Sequence, residues 1–210
     1  IRDRIVSRGL GDVYKRQAKK AGEDVLRNLC DTHGVEYVIA VPHNIVGPRQ
    51  KYDDPFRNVM SIMLNRMLQG KQPIIYGDGE QQRCFSYIDD CLYCLNALAF
   101  QDNVVGEVIN IGPDEEPITI NQLAEACANE TGLNLDPIHH KDRPKEVKLA
   151  VCSSDKARNL LGYKTATNMR QSVTKTAEYI RTRGTKKFQY HLPLEIINEY
   201  TPDTWKKKLI

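Results

Sequence analysis

The sequence predicts an α/β protein built on short parallel strands. Three observations carry that expectation. Glu36-Tyr37-Val38-Ile39-Ala40-Val41 is an apolar, β-branched run of the kind buried on both faces of a parallel sheet. A helical pattern over residues 19–30 feeds directly into it, which makes half of a βαβ unit. Residues 74–90 read as a strand, a tight turn, a second strand and a helix start, and another buried strand follows at residues 107–112.

Taken in order, the first helix places Ala21, Val25, Leu26, Leu29 and Cys30 on one face, and Gly34 closes it. The strand after it runs into Pro42, His43 and Asn44. Ligands of open parallel sheets collect beyond the carboxyl ends of strands, so these three stand where a ligand would be. Asn44, with a donor and an acceptor, is the better contact; a histidine such as His43 is more often structural than catalytic. Residues 56–68 form an amphipathic helix with Phe56, Val59, Met60, Met63 and Met67 along one side, the methionines as core filler, and Gly70 stops it.

In the stretch from Ile74, Gly77-Asp78-Gly79 supplies the positive φ angles of a sharp reversal. Arg83 lies among alternating residues, so its guanidinium projects to one face of a strand. Asp89 or Asp90 is placed to accept from the first free N–H groups of the helix that runs to about Phe100. Ile118-Thr119-Ile120 leads into a helix over residues 121–131 with Gly132 as its stop. Residues 137–147 read as loop. His139 and His140 have no carboxylate or cysteine at ligand spacing, so no metal is expected. Arg143-Pro144-Lys145-Glu146 sets an arginine beside a proline and an acid, which suits a nucleotide's phosphates and ribose hydroxyls. Ser153 or Ser154 caps a helix through Leu161, and Asn168 caps one over Met169–Arg183. Residues 186–210 read as an extended tail, with Lys206-Lys207-Lys208 in solvent.

Composition excludes several classes. The 210 residues are 40% hydrophobic and 27% charged, as in globular proteins, with a net charge of +3. That charge is interleaved, not gathered into the basic stripe of a nucleic-acid binder. No apolar run reaches the ~20 residues of a membrane span. The six cysteines are scattered; Cys91 and Cys94 form a C-x-x-C inside a helical pattern and read as small core residues. Unpaired cysteines point to the reducing cytoplasm. Residues 1–17 show no clear amphipathic period. Asp12-Val13-Tyr14-Lys15-Arg16-Gln17 is the translation of GAT-GTG-TAT-AAG-AGA-CAG, which resembles a transposon end used in sequencing libraries. Residues 1–17 are therefore expected to be a disordered adaptor scar on a truncated reading frame.

Five motifs, in order and spacing over residues 18–210, resemble the extended short-chain dehydrogenase/reductase family, in particular its nucleotide-sugar epimerases and dehydratases. They are Lys19-x-x-Gly22-Glu23; Pro42-His43-Asn44-x-x-Gly47-Pro48-Arg49; Tyr76-Gly77-Asp78-Gly79-x-Gln81-x-Arg83-x-Phe85-x-Tyr87-Ile88-x-Asp90; Asn110-Ile111-Gly112; and Arg143-Pro144-x-Glu146 with Asp155-x-x-Arg158-x-x-Leu161-Gly162. The resemblance implies the C-terminal part of an NAD(P)-binding Rossmann-like fold plus a smaller α/β substrate-binding lobe. Residues 18–54 and 88–112 would belong to the former, 55–87 and 113–185 to the latter, with 186–210 a tail. It implies that Lys19 is the active-site lysine, that Pro42 and His43 lie against the nicotinamide of NAD (NADP staying open), and that Asn44, Arg49, Tyr76, Arg83, Arg143 and Glu146 contact the nucleotide sugar. Arg83 and Arg143 would grip its diphosphate, and the intact protein would be a homodimer.

Two features depart from the family's pattern. In Tyr-x-x-x-Lys the two side chains share a helical face. Four residues before Lys19 stands Lys15, and Tyr14 is one residue out of register, about 100° around a helix. The glycine-rich dinucleotide fingerprint is absent from the sequence. The expected activity is that of a UDP- or dTDP-hexose 4-epimerase acting by transient oxidation at C4. A 4,6-dehydratase or decarboxylase of the same family is the alternative, as is a non-catalytic fragment keeping part of a nucleotide-sugar pocket.

Overall fold

The computed structural model describes residues 10–56, 58–143, 146–191, 197 and 201–210. In chain order the elements begin α1 (Leu10–His33), β1 (Ile39–Pro42), β2 (Ile45–Val46), α2 (Val59–Met67), β3 (Ile74–Tyr76), β4 (Gln82–Arg83), β5 (Ser86–Tyr87) and α3 (Ile88–Phe100). They continue with β6 (Val108–Ile111), β7 (Ile118–Thr119), α4 (Ile120–Thr131), β8 (Ile138–His140), β9 (Leu149–Ala150), α5 (Asp155–Leu161), α6 (Met169–Arg183) and α7 (Asp203–Lys206). The chain divides into two units. The first takes the described residues of Ile1–Ile45, Cys84–Pro117 and Lys145–Ala166, and the second those of Val46–Arg83, Ile118–Pro144 and Thr167–Ile210.

In the first unit β1 pairs in parallel with β6, Ile39 opposite Val108 through Pro42 opposite Ile111. The core joins Cys91, Cys94 and Leu98 of α3 to Ile109 and Ile111 of β6 and Ala157 and Leu161 of α5. The i, i+3, i+7 spacing on α3 makes that stripe. Burial pushes the Cys91 and Cys94 thiols up to about 12 and about 11, so this C-x-x-C is core packing. Among the described residues β1 has one strand neighbour, and its residues are half-buried or exposed instead of buried on both faces. The apolar face of α1 is likewise open. Cys30 is buried, but Val25 and Leu29 are 58% and 55% exposed.

Two further expectations are corrected here. Residues 10–17 are helical, continuing α1, whereas a disordered segment was expected; residues 1–9 lie outside the described residues. Extending a formed helix adds one hydrogen bond per residue without a new nucleation cost. On α3, Tyr87 is the N-cap and makes no side-chain cap bond, so Asp89 and Asp90 fall in the first turn, where they face the positive end of the helix dipole. Asp90 accepts instead from the Ala166 N–H at 3.2 Å.

In the second unit α2, α4 and α6 pack against one another and bury Met60, Met63, Leu64, Leu123, Val173 and Ile180. Asn58 accepts from the Met60 N–H, which starts α2 three residues later than the apolar pattern does. Capping boxes open α4 (Thr119 with Gln122) and α6 (Asn168 with Gln171). β3 pairs in parallel with β8, so part of the expected 137–147 loop is a strand. β4 pairs antiparallel with β7, Arg83 opposite Ile118. Gly77 and Gly79 take φ of 66° and 76°, as the reversal after β3 requires. The tail is not wholly extended. It carries α7, the Ile210 N–H donates to the Tyr190 hydroxyl at 3.0 Å, and Arg66 donates to the Leu209 carbonyl at 3.3 Å.

The start of the tail is clamped by Asn65, fully buried on α2. Its amide donates to the Lys186 carbonyl at 2.9 Å and accepts from the Lys186 N–H at 3.0 Å. Asn65→Ala leaves both backbone groups without that partner and is expected to lower unfolding free energy by about 2–4 kcal/mol in urea denaturation.

Candidate functional site

The candidate site residues fall in both units. In the first, the backbone leaves β1 at exposed Pro42 and turns through half-buried His43 to exposed Asn44. Asn44 holds a left-handed φ of 43°, a conformation asparagine tolerates better than most residues. Its side-chain amide donates to the Cys84 carbonyl at 2.9 Å, and the Ser86 N–H donates to its carbonyl at 3.2 Å. The turn is therefore fixed before any ligand arrives.

His43 is held at both ring nitrogens. Nε2 lies 3.1 Å from the Pro113 carbonyl oxygen, which can only accept, so Nε2 carries the proton. Nδ1 then accepts from the Cys152 thiol, 2.8 Å away. Burial lowers the His43 pKa below its usual 6.5, against the raising effects of Pro113 and the Asp114 charge. The imidazole is thus neutral near pH 7 and has no free lone pair for proton transfer. Gly112, at the end of β6, completes the packing: a Cβ there would overlap Ser86 Oγ and His43 Cε1. Beyond it, Asp114 is bonded to Arg158 and accepts from the Ser154 N–H at 2.7 Å. Burial works to raise its carboxyl, and those bonds together hold it below the usual range.

In the second unit the Arg143 guanidinium lies over the Tyr76 ring, 4.1 Å from its centre, and 5.7 Å from the centre of Trp205. The Tyr76 hydroxyl is hydrogen-bonded to Thr204, which is fully buried. Trp205 packs edge-on against Phe56, ring centres 5.2 Å apart. Among the described residues, Arg143 Nε and Trp205 Nε1 are buried without a hydrogen-bond partner. Each such donor costs about 1–3 kcal/mol while it stays unsatisfied.

Among the predicted residues, Lys19, Pro42, His43, Asn44 and Glu146 lie in the first unit, and Arg49, Tyr76, Arg83 and Arg143 in the second. Lys19 is exposed on α1 and Glu146 is half-buried. Arg49 takes a φ of 68°, unusual for a residue with a side chain. Arg83 donates from Nη1 to the Gln82 carbonyl at 2.7 Å. Among the described residues no three histidines, cysteines or acids gather as a metal site, and no helix is long and apolar enough to cross a membrane. Sequence reasoning passed over Cys152, Thr204 and Trp205. The available signal for the last was a lone tryptophan between Pro202 and a run of three lysines.

Residues 13–112 match the model of the NAD dependent epimerase/dehydratase family. A UDP-glucose 4-epimerase of Thermotoga maritima, solved with UDP-glucose, superposes with a TM-score of 0.74 at 29% identity, over 79% of this chain and 52% of that one. A UDP-glucuronic acid 4-epimerase of Bacillus cereus, solved with UDP-glucuronic acid and NAD, gives 0.72 at 29%, over 79% and 52%. A UDP-N-acetyl-α-D-glucosaminuronate decarboxylase of Bacillus cytotoxicus is 39% identical over 92 residues, 44% of this chain and 28% of its own. The chain spans about half the length of the curated relatives it matches.

Two outcomes follow from the His43 environment. Unfolded His43 binds its proton at a higher pH than folded His43. The stability gained by keeping it neutral is complete above about pH 6.5 and is lost as pH falls through the lowered folded value. An NMR titration is expected to give a midpoint below 6.5, and His43→Gln to flatten that part of the stability profile. Gly112→Ala, at a φ of 142°, is expected to cost about 1–3 kcal/mol in thermal or urea unfolding through overpacking.

Proposed function

We propose that the whole protein is a nucleotide-sugar 4-epimerase acting on a UDP- or dTDP-linked hexose with NAD, because residues 13–112 match the NAD dependent epimerase/dehydratase family and the chain superposes on solved UDP-sugar epimerases. The fold is α/β with parallel strands, consistent with part of a Rossmann-like domain. The observation that carries the reading is Arg143, stacked on Tyr76 with a buried Nε–H that lacks an acceptor. An aromatic face beside an arginine fork suits a nucleoside diphosphate.

The residues at the end of β1 fit the nicotinamide end of the cofactor. Pro42 is exposed there, and a neutral His43 sets no positive charge against the cationic ring of oxidised NAD. The glycine-rich turn that would cradle the pyrophosphate is not in this sequence. NAD, when bound, supplies reversible hydride acceptance. Lys19 would bind the nicotinamide ribose and lower the pKa of a catalytic tyrosine. Tyr14, out of register with Lys19, is not proposed for that role. Asn44, Arg49, Arg83 and Glu146 would orient the nucleotide sugar, and Arg83 and Arg143 would neutralise its diphosphate. His43, with both nitrogens engaged, would position and not exchange protons.

A decarboxylase is the second reading, favoured by the 39% identity to the Bacillus cytotoxicus enzyme over 92 residues. Without a cofactor cradle, the 210-residue chain is expected to bind nucleotide without turning it over. Calorimetry with UDP should detect binding. Arg143→Gln and Arg143→Lys should each weaken it about 10- to 100-fold, since neither keeps a charged bidentate fork. Incubation with NAD and UDP-glucose should yield no UDP-galactose; turnover by this chain would reject the non-catalytic reading. Carbon dioxide released from UDP-glucuronic acid by the intact protein, without epimerisation of UDP-glucose, would favour the decarboxylase.

A further inference from the structure

We propose that Trp205, carried by α7 in the tail, is itself a nucleotide-binding residue, donating its indole N–H to the anionic end of the same nucleoside diphosphate as Arg143. The inference rests on the nucleotide-sugar reading and adds to it a residue and a segment that none of the sequence motifs contains.

Three features bring α7 to this point. Thr204 holds the Tyr76 hydroxyl, so the segment is bonded to the ring on which Arg143 stacks. Trp205 lies against Phe56 on one side and has the Arg143 guanidinium 5.7 Å from its ring centre. The residues after it are tied down, because Arg66 donates to the Leu209 carbonyl and the Ile210 N–H donates to Tyr190. A loosely attached tail would leave its tryptophan wet; here the indole N–H is buried, and so is Arg143 Nε.

These two N–H groups are unsatisfied in one aromatic cluster. Both are donors, and one belongs to a permanent cation. The chemistry that satisfies both is an acceptor with negative charge. Lys206, next to Trp205, adds positive charge on the same segment, whereas Lys207 is paired with Asp203 at 3.2 Å. A phosphoryl group flanked by aromatic faces meets these conditions, and an uncharged sugar does not.

Trp205 is the sole tryptophan in the chain, so its emission reports on this position alone. The 210-residue chain is titrated with UDP while tryptophan fluorescence and heat are recorded, below the melting temperature of every variant. The expected result is a saturable change in emission whose midpoint equals the calorimetric Kd. Trp205→Phe keeps an aromatic ring against Phe56 and removes the N–H donor together with the smaller ring of the indole. It is expected to weaken UDP binding about tenfold, as loss of one hydrogen bond to a charged acceptor does. UDP binding with unmoved emission and unchanged affinity in Trp205→Phe would overturn the role of Trp205 and leave the nucleotide reading standing. Absence of UDP binding to the parent chain, folded by circular dichroism, would overturn both.

Discussion

A buried polar group must find a partner, and most of this molecule obeys that constraint closely. Asn65 turns its amide to both backbone groups of Lys186. Ser86 donates to the His43 carbonyl at 2.6 Å, and Ser154 to the Gly112 carbonyl. Thr176 returns its hydroxyl to the carbonyl one turn back. Against that background, unpaired N–H groups on Arg143 and Trp205 are informative, because neither has a hydrogen-bond partner among the described residues. The functional reading of the second unit grows from that imbalance.

The first unit shows the opposite condition. His43 is saturated: one nitrogen is bonded to a carbonyl, the other to a thiol, and its ring packs against a glycine that cannot gain a side chain. Such a histidine serves by shape and by its lack of charge. Burial is the dominant influence on its pKa, outweighing the pull of Asp114, whose charge is already engaged with Arg158. The C-x-x-C follows the same logic. Buried thiols with raised pKa are small apolar groups, whatever their spacing suggests.

The two units also differ in completeness. In the second, α2, α4 and α6 bury a continuous set of side chains, and each of these helices opens with a side-chain cap. In the first, a two-stranded parallel pair has α3 and α5 packed on it, while much of the apolar face of α1 stays open among the described residues. Parallel strands need covering on both faces. The half-buried state of β1 therefore records how few strands accompany it here, not a weak strand sequence.

Much of this was legible in the order of residues, because it rests on local chemistry. Glycine turns at 77 and 79, the Asn168 cap, the methionine stripe of α2 and the strand ending at Gly112 all depend on neighbours within a few positions. The late start of α2 and the helical residues 10–17 are not visible in local pattern for a related reason: helix ends are decided by small differences in capping and propagation. Strand β8 was not legible, since Ile138-His139-His140 has no β pattern of its own and is held by the backbone of β3. Nor were the hydrogen bonds of Cys152 to His43 and Thr204 to Tyr76, or the ring contact of Trp205 with Phe56. Each joins residues more than a hundred positions apart, and pattern along a chain carries no record of who meets whom at that range. Which residues can do chemistry was written locally; which of them are already satisfied, and which still lack a partner, was settled only when distant segments packed and water was excluded from between them.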